Sequence, residues 1–328
     1  MISPQNAPAK NGASRQGLTM TVLVPTFRRP ADLKRCLLAL QAQSYPSDEI
    51  LVVVRPEDED TQALLRDEAA SLPKVRTVFV EVTGQVAALN AGLDAADTDL
   101  IAITDDDTAP RRDWLERIVT HFSSDSKVGG VGGRDWVHEH GALLDGSREI
   151  VGKVSWFGRT TGNHHLGVGG PRFVELLKGA NMSYRRAAIG VQRFDTRLRG
   201  AGAQVNNDLA FSLSMAKTGW KLIYDPDVAV DHYPSVRFDE DQRQAFNPLA
   251  VSNAAHNETL SLLNYLSPPR RIAYLVWSFF IGTRVLPGLV QVLRLIPAQK
   301  SLAPRKWAAV QQGRRAGWSE WLRGGRAN

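Results

Sequence analysis

The sequence has little cysteine: Cys36 is the single one among 328 residues. That excludes a disulfide framework and suits a reducing compartment. Cys36 lies in a helical apolar pattern, which favours a small buried residue over a nucleophile. Long apolar runs are missing too. The uncharged stretch from Ile272 to Thr283 spans twelve residues, short of the ~20 a membrane-crossing helix needs, and Arg284 and Pro287 interrupt it. The opening residues have no apolar core of the signal-peptide kind, so 1–18 is expected to be a disordered lead-in. His138, His140, His164 and His165 have no zinc-ligand spacing. The glycines of "GGVGG" (129–133) lack the G-x-G-x-x-G spacing and open no helix, which excludes a dinucleotide loop there. There is no internal repeat.

What is present is ordinary globular composition, 43% hydrophobic and 23% charged, with an uneven net charge of +6. From Arg270 to Asn328 there are eleven Lys/Arg and one acid, Glu320, a net +10. The 269 residues before them carry 29 bases and 33 acids, a net −4. A basic tail on a mildly acidic body points to an anionic partner for the tail. Trp277, Trp307, Trp318 and Trp321, half of the eight tryptophans, lie in the same tail. Arginine, tryptophan and long aliphatics together suit a helix lying in a membrane interface. The competing reading is a helical pair closing over the rest of the protein or forming a dimer contact.

From residue 19 strands and helices alternate. "TMTVLVPTF", "EILVVV", "VRTVFVEV" and "DLIAIT" read as buried strands. "PADLKRCLLALQAQ", "TQALLRDEAASL", "QVAALNAGLDAA" and "RDWLERIVTHF" read as helices. "KVGGVGG" reads as a short strand, and 134–175 as irregular. Near-continuous apolar strands alternating with helices predict an α/β fold with a mostly parallel sheet covered on both faces. We expect that domain over 19–240 and a basic, apolar helical extension over 241–328. Ligands of such sheets bind beyond the carboxyl ends of the strands, which here carry Pro25–Arg29, Arg55–Asp60 and Asp105–Asp107.

Asp105, Asp106 and Asp107 close the fourth apolar strand. Three adjacent carboxylates repel unless a cation sits among them. A helix N-terminus would favour one such acid, not three. A phosphatase of the haloacid-dehalogenase type would need Thr or Val where Ala109 stands. A hard divalent ion, Mg²⁺ or Mn²⁺, takes one or two carboxylates and completes its shell from phosphate oxygens and water.

Four ordered blocks between residues 19 and 235 resemble the family 2 glycosyltransferases. They are "VLVPTFRRPADLKRCLLALQAQSYP", "GQVAALNAGLDAADTDLIAITDDDTAP", "KGANMSYRR" and "GAGAQVNNDLAFSLSMAKTGWKLIYDPDVAVDH". The resemblance implies the GT-A fold, a nucleotide-sugar donor, Mn²⁺ or Mg²⁺, and inversion at the transferred sugar. It implies that Asp105 faces the ribose, Asp106 supports it, Asp107 ligates the metal and Asp208 is the general base. His232 is implied as a second metal ligand, against the alternative of a core histidine after a strand. Pro25, Thr26, Arg29, Asp58 and Asn90 are implied on the donor side. Arg28 replaces the family's Asn, "VRPEDED" replaces its acidic turn after the second strand, and Asn207-Asp208 replaces its usual E-D. These departures bear on the base pocket.

The expected protein is therefore an inverting glycosyltransferase acting on a saccharide or lipid-linked acceptor in cell-surface polysaccharide or glycolipid synthesis. It is expected to be cytoplasmic, peripheral at the inner face of the plasma membrane through 270–328, with no nucleic-acid partner. The alternatives are a catalytically silent scaffold at a membrane surface, and a metal-dependent phosphatase or nucleotidyltransferase.

Overall fold

A computed structural model describes residues 17–242 and 246–324. The tail expected over 1–18 lies, up to residue 16, outside the described residues. The first strands follow the apolar runs closely: β1 (Met20–Pro25), β2 (Glu49–Val54), β3 (Val75–Phe79) and β4 (Leu100–Ile103). They pair in parallel in the order β3-β2-β1-β4. The crossovers are α1 (Pro30–Gln41), α2 (Glu59–Asp67) and α3 (Gln85–Ala95). Pro30 opens α1, where its missing N–H costs nothing.

Alternate strand residues bury on opposite faces. Leu23, Leu51, Val53, Ile101 and Ile103 pack with α3 on one face. Val22, Val24, Ile50, Val52, Leu100 and Ala102 pack with α1 on the other, where Cys36 is fully buried as the helical pattern implies. α3 lies so close to β1 that a Cβ on Gly92 would sit 2.1 Å from the Leu23 Cδ1.

Beyond β4 the chain adds β5 (Thr108–Pro110), α4 (Trp114–Ser124) and β6 (Val128–Glu139), with β7 (Ala142–Leu143) turning back on β6. Two small hairpin strands follow, β8 (Lys153–Val154) and β9 (Thr160–Thr161). Then come β10 (Arg172–Val174), β11 (Met182–Arg185), α5 (Arg186–Ile189), α6 (Asn207–Lys217) and β12 (Lys221–His232). β11 inserts antiparallel between β4 and β6, and β12 runs parallel to β6. β10 lies antiparallel on the outer side of β12. The strand expected at "KVGGVGG" therefore extends to Glu139, because β12 offers it a partner of equal length.

The C-terminal part is helical: α7 (Pro248–Tyr265), α8 (Pro268–Phe280), α9 (Leu289–Gln299) and α10 (Leu302–Gly324). α10 lies along α7, and Arg314 on it donates to the Leu286 carbonyl at 2.9 Å. Leu260 of α7 belongs to the same core cluster as the α3 face of the sheet. Among the described residues no helix is long and apolar enough to cross a membrane.

Candidate active site

The carboxyl ends of β1, β2 and β4 open into one cavity of about 260 Å³. Pro25, Thr26 and Arg29 line it from β1, Arg55 from β2, and Asp105, Asp106 and Asp107 from β4. Gly84 and Gln85, at the start of α3, form another wall. Gly84 has φ +104, and a Cβ there would meet the Gln204 Oε1 at 2.4 Å, so the turn into α3 requires glycine. Residues 201–203 and 237–239 complete the lining. They are tied together: the Ala203 N–H donates to Asp239 Oδ2 at 2.8 Å, and the Gln85 N–H donates to the Gly202 carbonyl at 2.8 Å.

The cation among the aspartates is Arg29. Its Nη1 lies 3.2 Å from Asp106 Oδ1 and 3.2 Å from Asp107 Oδ2. The Thr26 hydroxyl donates to Asp106 Oδ2 at 2.7 Å, and Gln85 Nε2 donates to Asp105 Oδ1 at 3.2 Å. The three acids are shifted in different directions. Burial pushes the Asp106 carboxyl up to about 8, against the pull of Arg29. Burial, then the neighbouring Asp107, pushes Asp105 up as well. Burial also acts on Asp107, but His232, Arg29 and the Ser235 N–H outweigh it and hold that carboxyl below the usual range. Asp107 is thus the one carboxyl of the three that is held below the usual range.

His232 ends β12 and is buried, its Nε2 3.3 Å from Asp107 Oδ1. Its Nδ1 faces Asp135 Oδ2 at 3.9 Å. Both ring nitrogens, Asp107 Oδ1 and Asp106 Oδ1 are buried without a hydrogen-bond partner. Such orphaned atoms fit a hard divalent ion held by Asp107 and His232. Among the described residues no three His, Cys, Asp or Glu side chains are gathered to hold a metal ion.

Residues 201–203, which line the cavity, lead through 204–206 into α6; Asp208 sits in the first turn of α6 and is not itself a lining residue. Its Oδ2 accepts from the Gly179 N–H at 3.2 Å and its Oδ1 from the Leu209 N–H at 2.8 Å. Lys178, next to Gly179, ion-pairs with the fully buried Asp135. Burial pushes the Lys178 ammonium down, but Asp135, Asp208 and Asp105 more than offset it.

Two residues expected on the donor side lie elsewhere. Asp58 caps α2: it accepts from the Thr61 hydroxyl at 2.8 Å and the Arg28 N–H at 2.6 Å, and it does not line the cavity. Asn90 exchanges hydrogen bonds with the Phe194 backbone at 2.9 and 2.8 Å, again away from the cavity. Sequence reasoning missed Asp135, Lys178, Arg237 and Phe238. Lys178 stands inside a family-like block, so the signal was available; Asp135 lies in a stretch without periodicity and has none.

A family model described as glycosyltransferase like family 2 matches residues 17–247. A pre-mycofactocin glycosyltransferase of Mycobacterium tuberculosis is 30% identical over 63% of this chain and 43% of its own length. Glycosyltransferase AglE of Haloferax volcanii is 29% identical over 32% of this chain and 35% of its own length. The chain thus spans under half the length of these curated relatives. The mannosyltransferase PcManGT from Pyrobaculum calidifontis, solved with GDP-Man and Mn²⁺, superposes with a TM-score of 0.57 at 18% identity. That match covers 94% of this chain and 88% of PcManGT, and shows a shared GT-A fold.

Proposed function

This chain belongs to glycosyltransferase family 2, and on that premise we propose that it transfers a sugar, with inversion, from a nucleotide diphosphate-sugar to an acceptor hydroxyl. One observation carries the reading: the ends of β1, β2 and β4 meet in a cavity lined by Asp105, Asp106, Asp107 and Arg29.

In this reading the nucleobase lies against Phe27, Val53, Val80 and Phe238, the apolar part of the lining. Asp105 accepts from a ribose hydroxyl. Arg29 and Arg237 face the diphosphate, whose charge grows as the bond to the sugar breaks. Asp107 and His232 would hold Mn²⁺ or Mg²⁺, which supplies Lewis-acid stabilisation of that charge when bound. Asp208 takes the proton of the acceptor hydroxyl as its oxygen bonds to the anomeric carbon. The nucleoside diphosphate leaves from the opposite face. A single displacement with one base and no protein nucleophile inverts the centre. PcManGT, solved with GDP-Man and Mn²⁺, supports the donor and metal assignments. We place the protein as a peripheral one at the inner face of the plasma membrane, acting in cell-surface polysaccharide or glycolipid synthesis.

A thermal-shift panel of UDP, GDP, dTDP and CMP, each with and without Mn²⁺, tests this. A ligand that binds only the folded state raises its melting temperature by mass action. One nucleoside diphosphate should raise it, and only with Mn²⁺. No shift with any of the four would contradict the reading.

A further inference from the structure

The outer side of the α8–α9 hairpin is apolar and uncovered. Ile272, Val276 and Phe280 recur at i, i+4 and i+8 on α8, with 65%, 54% and 51% of their surface exposed. Leu289, Leu293 and Ile296 form a matching stripe on α9, and Val285 at the turn is 69% exposed. Single exposed aliphatics are ordinary, but a stripe continued across two helices and their turn marks an interaction surface.

Its occupant can be read from charge. Every charged residue between Glu258 and Glu320 is basic. Arg284, Arg294 and Lys300 are exposed around the stripe. A second copy laid on this face would bring like charges together. A bilayer rich in anionic lipid satisfies both the apolar stripe and its basic surround.

A second element joins the same face. The turn of the β8–β9 hairpin presents Trp156, 64% exposed, and Phe157, whose ring lies 5.2 Å from that of Trp277 on α8. Arg270 at the start of α8 donates to the Ser155 carbonyl at 3.0 Å and the Trp156 carbonyl at 3.2 Å. A tied-down, exposed tryptophan is the side chain most suited to the headgroup level of a membrane.

This face is also joined to the candidate base. Val154 of β8, Leu209 and Leu213 of α6, Leu262 and Leu263 of α7 and Tyr274 of α8 form one buried cluster. Leu209 adjoins Asp208 in sequence. We infer that Trp156 and the outer stripes of α8 and α9 form one docking surface for an anionic bilayer, with Asp208 held in fixed relation to it. The inference rests on the peripheral-membrane part of the proposed function and assigns the residues that make the contact.

The test is co-sedimentation of the full chain with phosphatidylcholine vesicles, with and without phosphatidylglycerol. The variants are W156S and the double variant V276D/L293D, whose sites are exposed and compatible with folding; melting temperatures verify this. Wild type should sediment with the phosphatidylglycerol vesicles, and less so at high salt. Each variant should lose roughly tenfold or more in partition coefficient, as expected for removing buried apolar area. Both should keep the wild-type nucleotide-induced thermal shift. Wild type failing to bind either vesicle, variants binding as well as wild type, or a dimer formed through α8 and α9 in place of vesicle binding would overturn the docking surface. Vesicle binding without any nucleotide shift would overturn the donor-site reading while supporting this surface.

Discussion

Arg29 and Asp208 carry most of the account at the scale of single residues. The guanidinium of Arg29 lets Asp106 and Asp107 lie in one buried cluster, yet the orphaned Asp107 Oδ1 and His232 nitrogens beside it mark a second place for positive charge. Asp208 accepts two backbone N–H bonds, from Gly179 and from Leu209 in its own helix turn, and the proposed reaction makes the same carboxylate the base. Replacing Asp208 by Asn keeps one of the two acceptor positions through the amide oxygen, places an NH2 donor at the other, and removes the basicity. Transfer should fall about 10²–10⁴-fold while the nucleotide-induced thermal shift stays at the wild-type value. Single-turnover assays alongside melting curves check this; loss of both together would mean that Asp208 is structural, and full activity would remove it as the base. The placement of Asp105–Asp107 beyond the end of an apolar strand was legible from the sequence pattern, whereas Asp208 and His232 were singled out by the family resemblance alone. Asp58 and Asn90 stood in plausible sequence positions, but a free N-cap and an unpaired Phe194 backbone claimed their polar groups first.

Among the elements, the strands of the first half could be read because burial on both sheet faces makes their sequences continuously apolar. β11 could not be read as an antiparallel insertion: four residues, Met182–Arg185, carry no sign of direction, and only pairing with both β4 and β6 sets it. A polar link between elements was equally hidden. His121 on α4 lies 2.7 Å from Asp225 on β12. Burial pushes the Asp225 carboxyl up, but the His121 hydrogen bond and the Asp227 N–H more than reverse this and hold it below its ordinary value. A carboxyl depressed on folding contributes stability above its unfolded pKa, about 4, and loses it as pH falls through the folded value. Asp225→Asn should therefore lower the urea midpoint at pH 7. The gap from wild type should close as the pH drops below about 4. A gap that is constant with pH would show that the ionised carboxylate contributes nothing.

For the whole molecule, the C-terminal helices serve two surfaces at once. Their inner sides complete the core: Tyr274 of α8 is fully buried, Ala303 and Val310 of α10 are buried, and Arg314 reaches the Leu286 carbonyl. Their outer sides, on α8 and α9, are the exposed apolar stripes. Arginine and tryptophan in the composition are what suggested a membrane contact for those outer sides. Packing over the rest of the protein was the competing reading, but the residues that make it were not legible, because contacts of α7 and α10 with the body are distant in sequence. Removing 270–328 should consequently do more than detach the protein from membranes. Loss of these packed side chains, at about 2–5 kcal/mol for each large buried group, should leave the remainder poorly folded. Circular dichroism and melting of the truncated chain measure this; a cooperative transition near that of the full chain would show that the helices are dispensable to the fold.

The central claim is that Asp107 binds the donor through a divalent ion. Isothermal titration of the nucleoside diphosphate selected by thermal shift, with Mn²⁺ present, into wild type and Asp107→Ala tests it most directly. The account predicts binding to wild type that disappears when Mn²⁺ is omitted and is absent from the variant at any Mn²⁺ concentration. Equal Mn²⁺-dependent affinity in the two proteins would contradict it.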